Sequence, residues 1–247
     1  MTLTVGSLFS GIGGLDLGLE RASMQVIWQS EIDPYCNKVL KKHWPKVPNH
    51  GDIKQIEWRN IERPNIICGG YPCQPFSVAG QRNGANDPRH LWPWVRTAIS
   101  ELRPDYAILE NVRGHVTMGL SEVCGDLAAI GYDAEWQIVS AAALGAPHLR
   151  ERLFIIAYPT GNVGYGRKIV YNSQTLRQRR KVQAPFGGMA SPTDGSTTTE
   201  LLYGPGMGRA VNGLSDRVDR LKGLGNAVVP QVAEYIGHLV LAAHNNS

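Results

Sequence analysis

Three short stretches carry residue types able to attack and protonate an electron-poor ring. The segment Gly69-Gly70-Tyr71-Pro72-Cys73-Gln74-Pro75-Phe76-Ser77 presents a thiol between prolines and glycines, directly after the apolar Ile66-Ile67-Cys68. Most free cysteines lie in apolar cores as inert small hydrophobes. A rigid turn at the end of a strand instead exposes Cys73, and a thiolate there is a competent nucleophile. The plain alternative is a loop thiol with nothing to attack. Glu110, in Glu110-Asn111-Val112, ends the apolar run Ala107-Ile108-Leu109. Burial there would raise its pKa and make it a proton donor, whereas a helix cap or ion-pair partner is the plain reading. Arg150-Glu151-Arg152 precedes the apolar Leu153-Phe154-Ile155-Ile156-Ala157. One guanidinium could donate to a ring carbonyl while the other braces a loop or a phosphate. Otherwise the stretch forms surface ion pairs.

A fourth stretch suits a ligand rather than a reaction. Phe9-Ser10-Gly11-Ile12-Gly13-Gly14-Leu15 follows an apolar run and opens a helix-like one. Its glycines permit a tight turn and close backbone approach, but the spacing is not the GxGxxG of dinucleotide sites. The next apolar run ends in Ser30-Glu31-Ile32-Asp33, where an acid could accept hydrogen bonds from ribose hydroxyls or merely cap the following helix. Asp52, followed by Ile53, sits in a similar loop further on.

These residues need a frame that gathers them. Strands are expected at Leu3–Phe9, Gln25–Ser30, Ile66–Gly69, Tyr106–Glu110, Asp133–Ser140 and Leu153–Tyr158. Helices are expected at Leu15–Arg21, Pro34–Lys42, Leu91–Leu102 and Leu120–Ile130. Strands alternating with helices predict an α/β fold with a mostly parallel sheet, whose sites gather at the carboxyl ends of strands. After Pro159 the chain becomes rich in Gly, Ser, Thr, Asn and Pro, as loops are. Val232, Ile236, Leu239, Val240 and Ala243 then share one face of a helix starting near Pro230. The expected organisation is a catalytic domain over 1–158, a small irregular lobe over 159–208, and a segment over 209–247 that rejoins the first domain.

Bulk properties narrow the class. The 247 residues suffice for one full core, and 43% apolar with 19% charged residues is ordinary for a globular chain. No apolar run approaches a membrane span, and the first residues carry no basic leader, so a cytoplasmic protein is expected. The four cysteines lack metal spacing; free thiols and no metal are expected. The net charge is +4. Arg177, Arg179, Arg180 and Lys181 cluster in the 159–208 segment, as a phosphate-contacting patch or a solvated loop would.

In this order, the motifs resemble those of the DNA (cytosine-5) methyltransferase family, over Val5–Tyr158 and again over Arg209–Gly237. The resemblance implies a Rossmann-like fold, S-adenosylmethionine as cofactor without a metal, and double-stranded DNA as partner. Phe9 to Leu15 resembles the motif around the methionine part of the cofactor. Glu31, with Ile32, would hold the ribose, and Asp52-Ile53 the adenine. Gly70, Pro72, Leu91, and Asn226, Ala227 and Val228 of Gly225-Asn226-Ala227-Val228-Val229-Pro230 would complete the cofactor site. Cys73 resembles the nucleophile, Glu110 the group that engages cytosine N3, and Arg150 and Arg152 the arginine pair, with Arg152 facing the base. Gln74, Ser77 and the Arg177–Lys181 cluster would contact DNA, after the target cytosine flips out of the duplex.

The chain departs from the family pattern at His148, where glutamine is usual, and in its short 159–208 segment. Arg209–Lys222 matches only loosely. Two rivals share the motifs: a tRNA cytosine-5 methyltransferase and a catalytically silent DNA-binding homologue. Amino-methylating enzymes are disfavoured, because their loop is Asn/Asp/Ser-Pro-Pro-aromatic. A bacterial or phage origin, a separate restriction endonuclease and a monomeric state are compatible with so compact a chain.

Overall fold

The computed structural model describes residues 2–72, 91–146, 148–161 and 226–245. Six strands form one sheet in the order β2-β1-β3-β4-β6-β5. They are β1 (Thr4–Leu8), β2 (Gln25–Ser30), β3 (Ile66–Gly70), β4 (Tyr106–Val112), β5 (Tyr132–Ser140) and β6 (Glu151–Pro159). The helices are α1 (Gly14–Arg21), α2 (Pro34–His43), α3 (Trp92–Leu102), α4 (His115–Met118), α5 (Leu120–Ala129) and α6 (Pro230–Asn245). The expected α/β architecture is therefore observed, with element ends displaced by one or two residues.

The central strands are apolar throughout because both faces of the sheet are covered. Ile66, Ile67 and Cys68 of β3, and Ala107, Ile108 and Leu109 of β4, are completely buried. One face packs against α1 and α6 through Leu15, Leu19, Val232, Ile236 and Val240. The other packs against α3 and α5 through Val95, Ile99, Val123 and Leu127.

Strands β1 to β4 run parallel, and β6 is antiparallel to both β4 and β5. This orientation decides where the site forms. A parallel β6 would carry Arg150 and Arg152 to the far edge. The antiparallel β6 places its beginning beside the end of β4, with Arg152 opposite Val112. Strand β4 also runs two residues further than the sequence suggests, because this pairing with β6 continues to Val112. Asn111 is therefore a strand residue and is buried.

Helix α6 lies on α1 at very short range. A Cβ at Gly18 would stand 2.4 Å from the Pro230 carbonyl oxygen and 2.3 Å from the Ala233 Cβ. Helix propensity alone would favour alanine at position 18 by about 1 kcal/mol. The backbone contact outweighs it: Gly18→Ala is expected to destabilise the chain by about 1–3 kcal/mol, measured by urea unfolding.

Candidate active site

The carboxyl edge of the sheet gathers the glycine loop, Glu31, Gly70, Glu110 and the two arginines. Strand order reverses beside β1, so a crevice opens between the ends of β1 and β3. The loop leaving β1 adopts positive φ at Phe9 (52°), Gly11 (56°) and Gly13 (83°). Such a conformation costs a bulky residue like Phe9 most, and its presence at a ligand crevice is typical of a constrained site.

A buried polar network holds this loop from below. Ser10 Oγ donates to Ser7 Oγ at 2.9 Å, and Ser7 Oγ donates to Asp16 Oδ2 at 3.0 Å. Gln29 Nε2 donates to Asp16 Oδ1 at 2.8 Å. Asp16 is fully buried, and desolvation raises its pKa to about 6 against the pull of these donors. The network escaped the sequence reading because Ser7, Asp16 and Gln29 come from three elements and form no linear motif.

The second acid loop resolves the choice between Glu31 and Asp33. Asp33 caps α2, accepting from the Tyr35 and Cys36 amides. Glu31 instead spans two elements: Oε2 accepts from the Gly11 amide at 2.7 Å, and Oε1 accepts from the Ile32 and Asp33 amides. Asn49 stitches this turn to the next, accepting from the Glu31 and Gly51 amides and donating to the Glu31 carbonyl. Asp52, accepting from the Lys54 amide, and buried Ile53 follow directly. Ile32 is 66% exposed, an apolar surface next to the carboxylate. Open backbone at Gly11, a fixed carboxylate and an exposed isoleucine suit a ligand with a ribose and a flat base.

Glu110 is 8% exposed and stands between β3 and β6. On the β3 side its Oε2 lies 2.7 Å from where a Cβ on Gly70 would be, so glycine there makes room for the carboxyl. On the β6 side Arg152 Nε lies 2.9 Å from Glu110 Oε1. The two residues form a diagonal cross-strand pair on one face. Burial raises the Glu110 pKa to about 7, outweighing the opposing charges of Arg152 and Arg150. Near neutral pH this carboxyl can carry a proton and give it up.

Arg150 acts elsewhere. Its NH2 donates to the Ala227 carbonyl at 2.7 Å, joining β6 to the turn before α6. Val228 is buried, and its carbonyl lies where a Cβ on Gly14 would be, while Asn226 is exposed. A cavity of about 850 Å³ extends from Ile12–Gly14 and Leu17 past Trp44 to Arg150–Arg152 and Ala227–Pro230. His148 is exposed at its rim.

The other candidates are distributed unevenly. Pro72 is exposed, and Leu91 leads into α3. Cys73, Gln74, Ser77, Arg177, Arg179, Arg180 and Lys181 lie outside the described residues, as does nearly all of 159–208. Cys68 is fully buried and Cys124 partly so; burial pushes both thiols up and makes them poor nucleophiles. Among the described residues no cluster of His, Cys, Asp and Glu could hold a metal ion, and no helix is long and apolar enough to cross a membrane.

A family model described as C-5 cytosine-specific DNA methylase matches residues 3–195, most of the chain. The chain belongs to this family. Among curated relatives, the type II methyltransferase M1.ScrFI of Lactococcus lactis is 34% identical over 182 residues, covering 71% of this chain and 45% of the relative. M.BsuFI of Bacillus subtilis is 32% identical over 161 residues, covering 63% and 39%. The chain thus spans less than half the length of these methylases. A solved methyltransferase encoded within an Escherichia coli prophage, titled a putative DNA modification enzyme, superposes with a TM-score of 0.54 at 30% identity. It covers 64% of this chain and 47% of that one. The S. pombe Dnmt2 methyltransferase gives 0.55 at 25% identity, covering 64% and 51%. These members share the α/β fold.

Proposed function

We propose that this methylase transfers a methyl group from S-adenosylmethionine to C5 of a cytosine flipped out of duplex DNA. The observation that carries the reading is the buried Glu110, set between Gly70 and Arg152 at the carboxyl edge, beside the strand that leads to Cys73. Cytosine C5 is a poor nucleophile until a thiolate adds to C6. Cys73 Sγ would form that bond while Glu110 gives its proton to N3, leaving an enamine whose C5 carries the electron pair. Arg152 would hold Glu110 in place and donate to the base O2. The bound cofactor supplies an electrophilic methyl group on a sulfonium. Once C5 holds the methyl group, loss of the C5 proton to a base expels the Cys73 thiolate, and Glu110 recovers the N3 proton.

The crevice at the carboxyl edge supports a placement for the cofactor. The glycine loop would take the methionine part, Glu31 the ribose hydroxyls, and Ile32, Asp52 and Ile53 the adenine. Arg150 would keep Asn226–Val228 closed over the same loop. The 159–208 segment would read the target sequence, with Arg177–Lys181 on phosphates. Arg179→Ala with Arg180→Ala is expected to weaken binding to all duplexes alike. It should reduce the slope of log affinity against log salt by about 2, read from binding isotherms at several salt concentrations.

The activity is tested by bisulfite sequencing of DNA from a methylation-free bacterial host that expresses the chain. Methylated cytosines in one short context support the reading. Unmethylated DNA together with methylated tRNA would move it to RNA. Neither product from soluble protein would leave a silent DNA binder.

A further inference from the structure

We propose that Tyr71 and His115 form a polar clamp that fixes the root of the cysteine loop against the Glu110 strand, which makes both of them positioning residues for the thiol addition. The inference rests on the methyltransferase reading above. Tyr71 is the first residue beyond β3 and stands two residues before Cys73. It is 4% exposed and is gripped at both ends by the chain that follows Glu110. Its carbonyl accepts from Asn111 Nδ2 at 3.1 Å. Its hydroxyl lies 2.8 Å from His115 Nε2, with the rings 5.5 Å apart and almost perpendicular.

Both partners are themselves backed by structure. Asn111 is buried, and its Oδ1 accepts from the Val112 amide. The Tyr71 ring packs on Trp92 at 5.4 Å, and Trp92 donates its indole N–H to Asp126. The His115 ring fills the space over Gly119, where a Cβ would stand 2.4 Å from Cε1. Helices α3 and α5 therefore hold the clamp from behind.

A phenylalanine at position 71 would fill the same apolar volume without a hydroxyl to satisfy. A buried phenol needs a partner, and the pairing of Tyr71 with His115 supplies one. Apolar contacts tolerate sliding, whereas a directional hydrogen bond sets distance and angle. Burial also pushes the His115 pKa down, which favours the neutral ring, a form that can accept from the phenol. The pair thereby couples the end of β3, which leads to the nucleophile, to the end of β4, which carries the acid. Misplacing reacting groups by about 1 Å can cost 100-fold in rate.

The test measures covalent adduct formation between the full chain, with bound cofactor, and duplex DNA containing 5-fluorocytosine in the context found by bisulfite sequencing. Tyr71→Phe is expected to slow the adduct about 10-fold while cofactor affinity stays within twofold and the melting temperature shifts little. His115→Leu should slow it similarly. The double variant Tyr71→Phe/His115→Leu should be no slower than either single one, because both remove the same link. His115→Gln, whose side-chain amide oxygen can accept from the phenol in place of Nε2, should recover most of the rate. A wild-type rate in Tyr71→Phe, multiplying losses in the double variant, or a loss of cofactor affinity equal to the loss of rate would each overturn the clamp alone. An absence of adduct from the wild-type chain would overturn the methyltransferase reading and the clamp together.

Discussion

Cys73→Ala is expected to abolish methyl transfer and adduct formation with 5-fluorocytosine, while cofactor binding persists. The expectation follows from chemistry rather than from any general weakening of the fold. Without a C6 adduct, C5 has no electron pair to give, and a nearby carboxyl cannot replace the thiolate. The other cysteines offer no substitute: Cys36 and Cys68 are buried, the latter within β3, and burial raises the thiols of both Cys68 and Cys124. The glycine loop, Glu31 and the Ser7–Asp16–Gln29 network are untouched by the change, so affinity for S-adenosylmethionine should stay within about twofold, a factor worth well under 1.4 kcal/mol. Calorimetry and tritium transfer on the same preparation separate the two effects. Turnover at wild-type rate would sink the covalent route.

The second large effect belongs to Glu110. Glu110→Gln is expected to lower turnover by about 10²–10⁴-fold, the usual worth of a positioned proton donor. The isosteric amide keeps the space beside Gly70 but has no acidic proton for N3. The pH profile should change form as well. With a Glu110 pKa of about 7, wild-type activity needs the protonated acid and falls as pH rises through that value, while the need for a thiolate limits it at low pH. The glutamine variant keeps only the thiolate limb, so its residual activity should rise with pH throughout.

Stability moves in a matching direction. Burial raises the Glu110 pKa from 4.5 to about 7, so the folded state holds its proton where the unfolded chain has lost it. Stability contributed in this way is complete below about pH 4.5 and is lost as pH rises to about 7. Asp16, raised from 3.8 to about 6, adds a loss of the same sign over a lower range. Urea midpoints of the wild-type chain should therefore fall between pH 4.5 and 7.5, and Glu110→Gln should flatten that slope. An unchanged slope would contradict the buried, protonated carboxyl.

The sequence by itself determined much of this protein. Alternating apolar runs and helix-like stretches placed all six strands and the main helices of the described chain to within two residues, because period and punctuation are local properties. Pro72-Cys73-Gln74, Glu110-Asn111-Val112 and the glycine loop pointed to the cytosine-5 methylase family, since each motif is contiguous. Other features needed the tertiary structure. Glu31 and Asp33 are equally acidic in the sequence; only packing showed that Asp33 caps α2 and Glu31 reaches the Gly11 amide. Likewise, nothing local to Arg150-Glu151-Arg152 reveals that β6 runs antiparallel, yet that direction carries Arg152 to Glu110 and sends Arg150 to Ala227. Asp16 and His115 are single polar residues within helices, and their partners Ser7, Gln29 and Tyr71 are distant in sequence or on other elements. Strand direction and buried polar pairing are decided by how distant elements close around a shared core, and a pattern read along one dimension does not contain that closure.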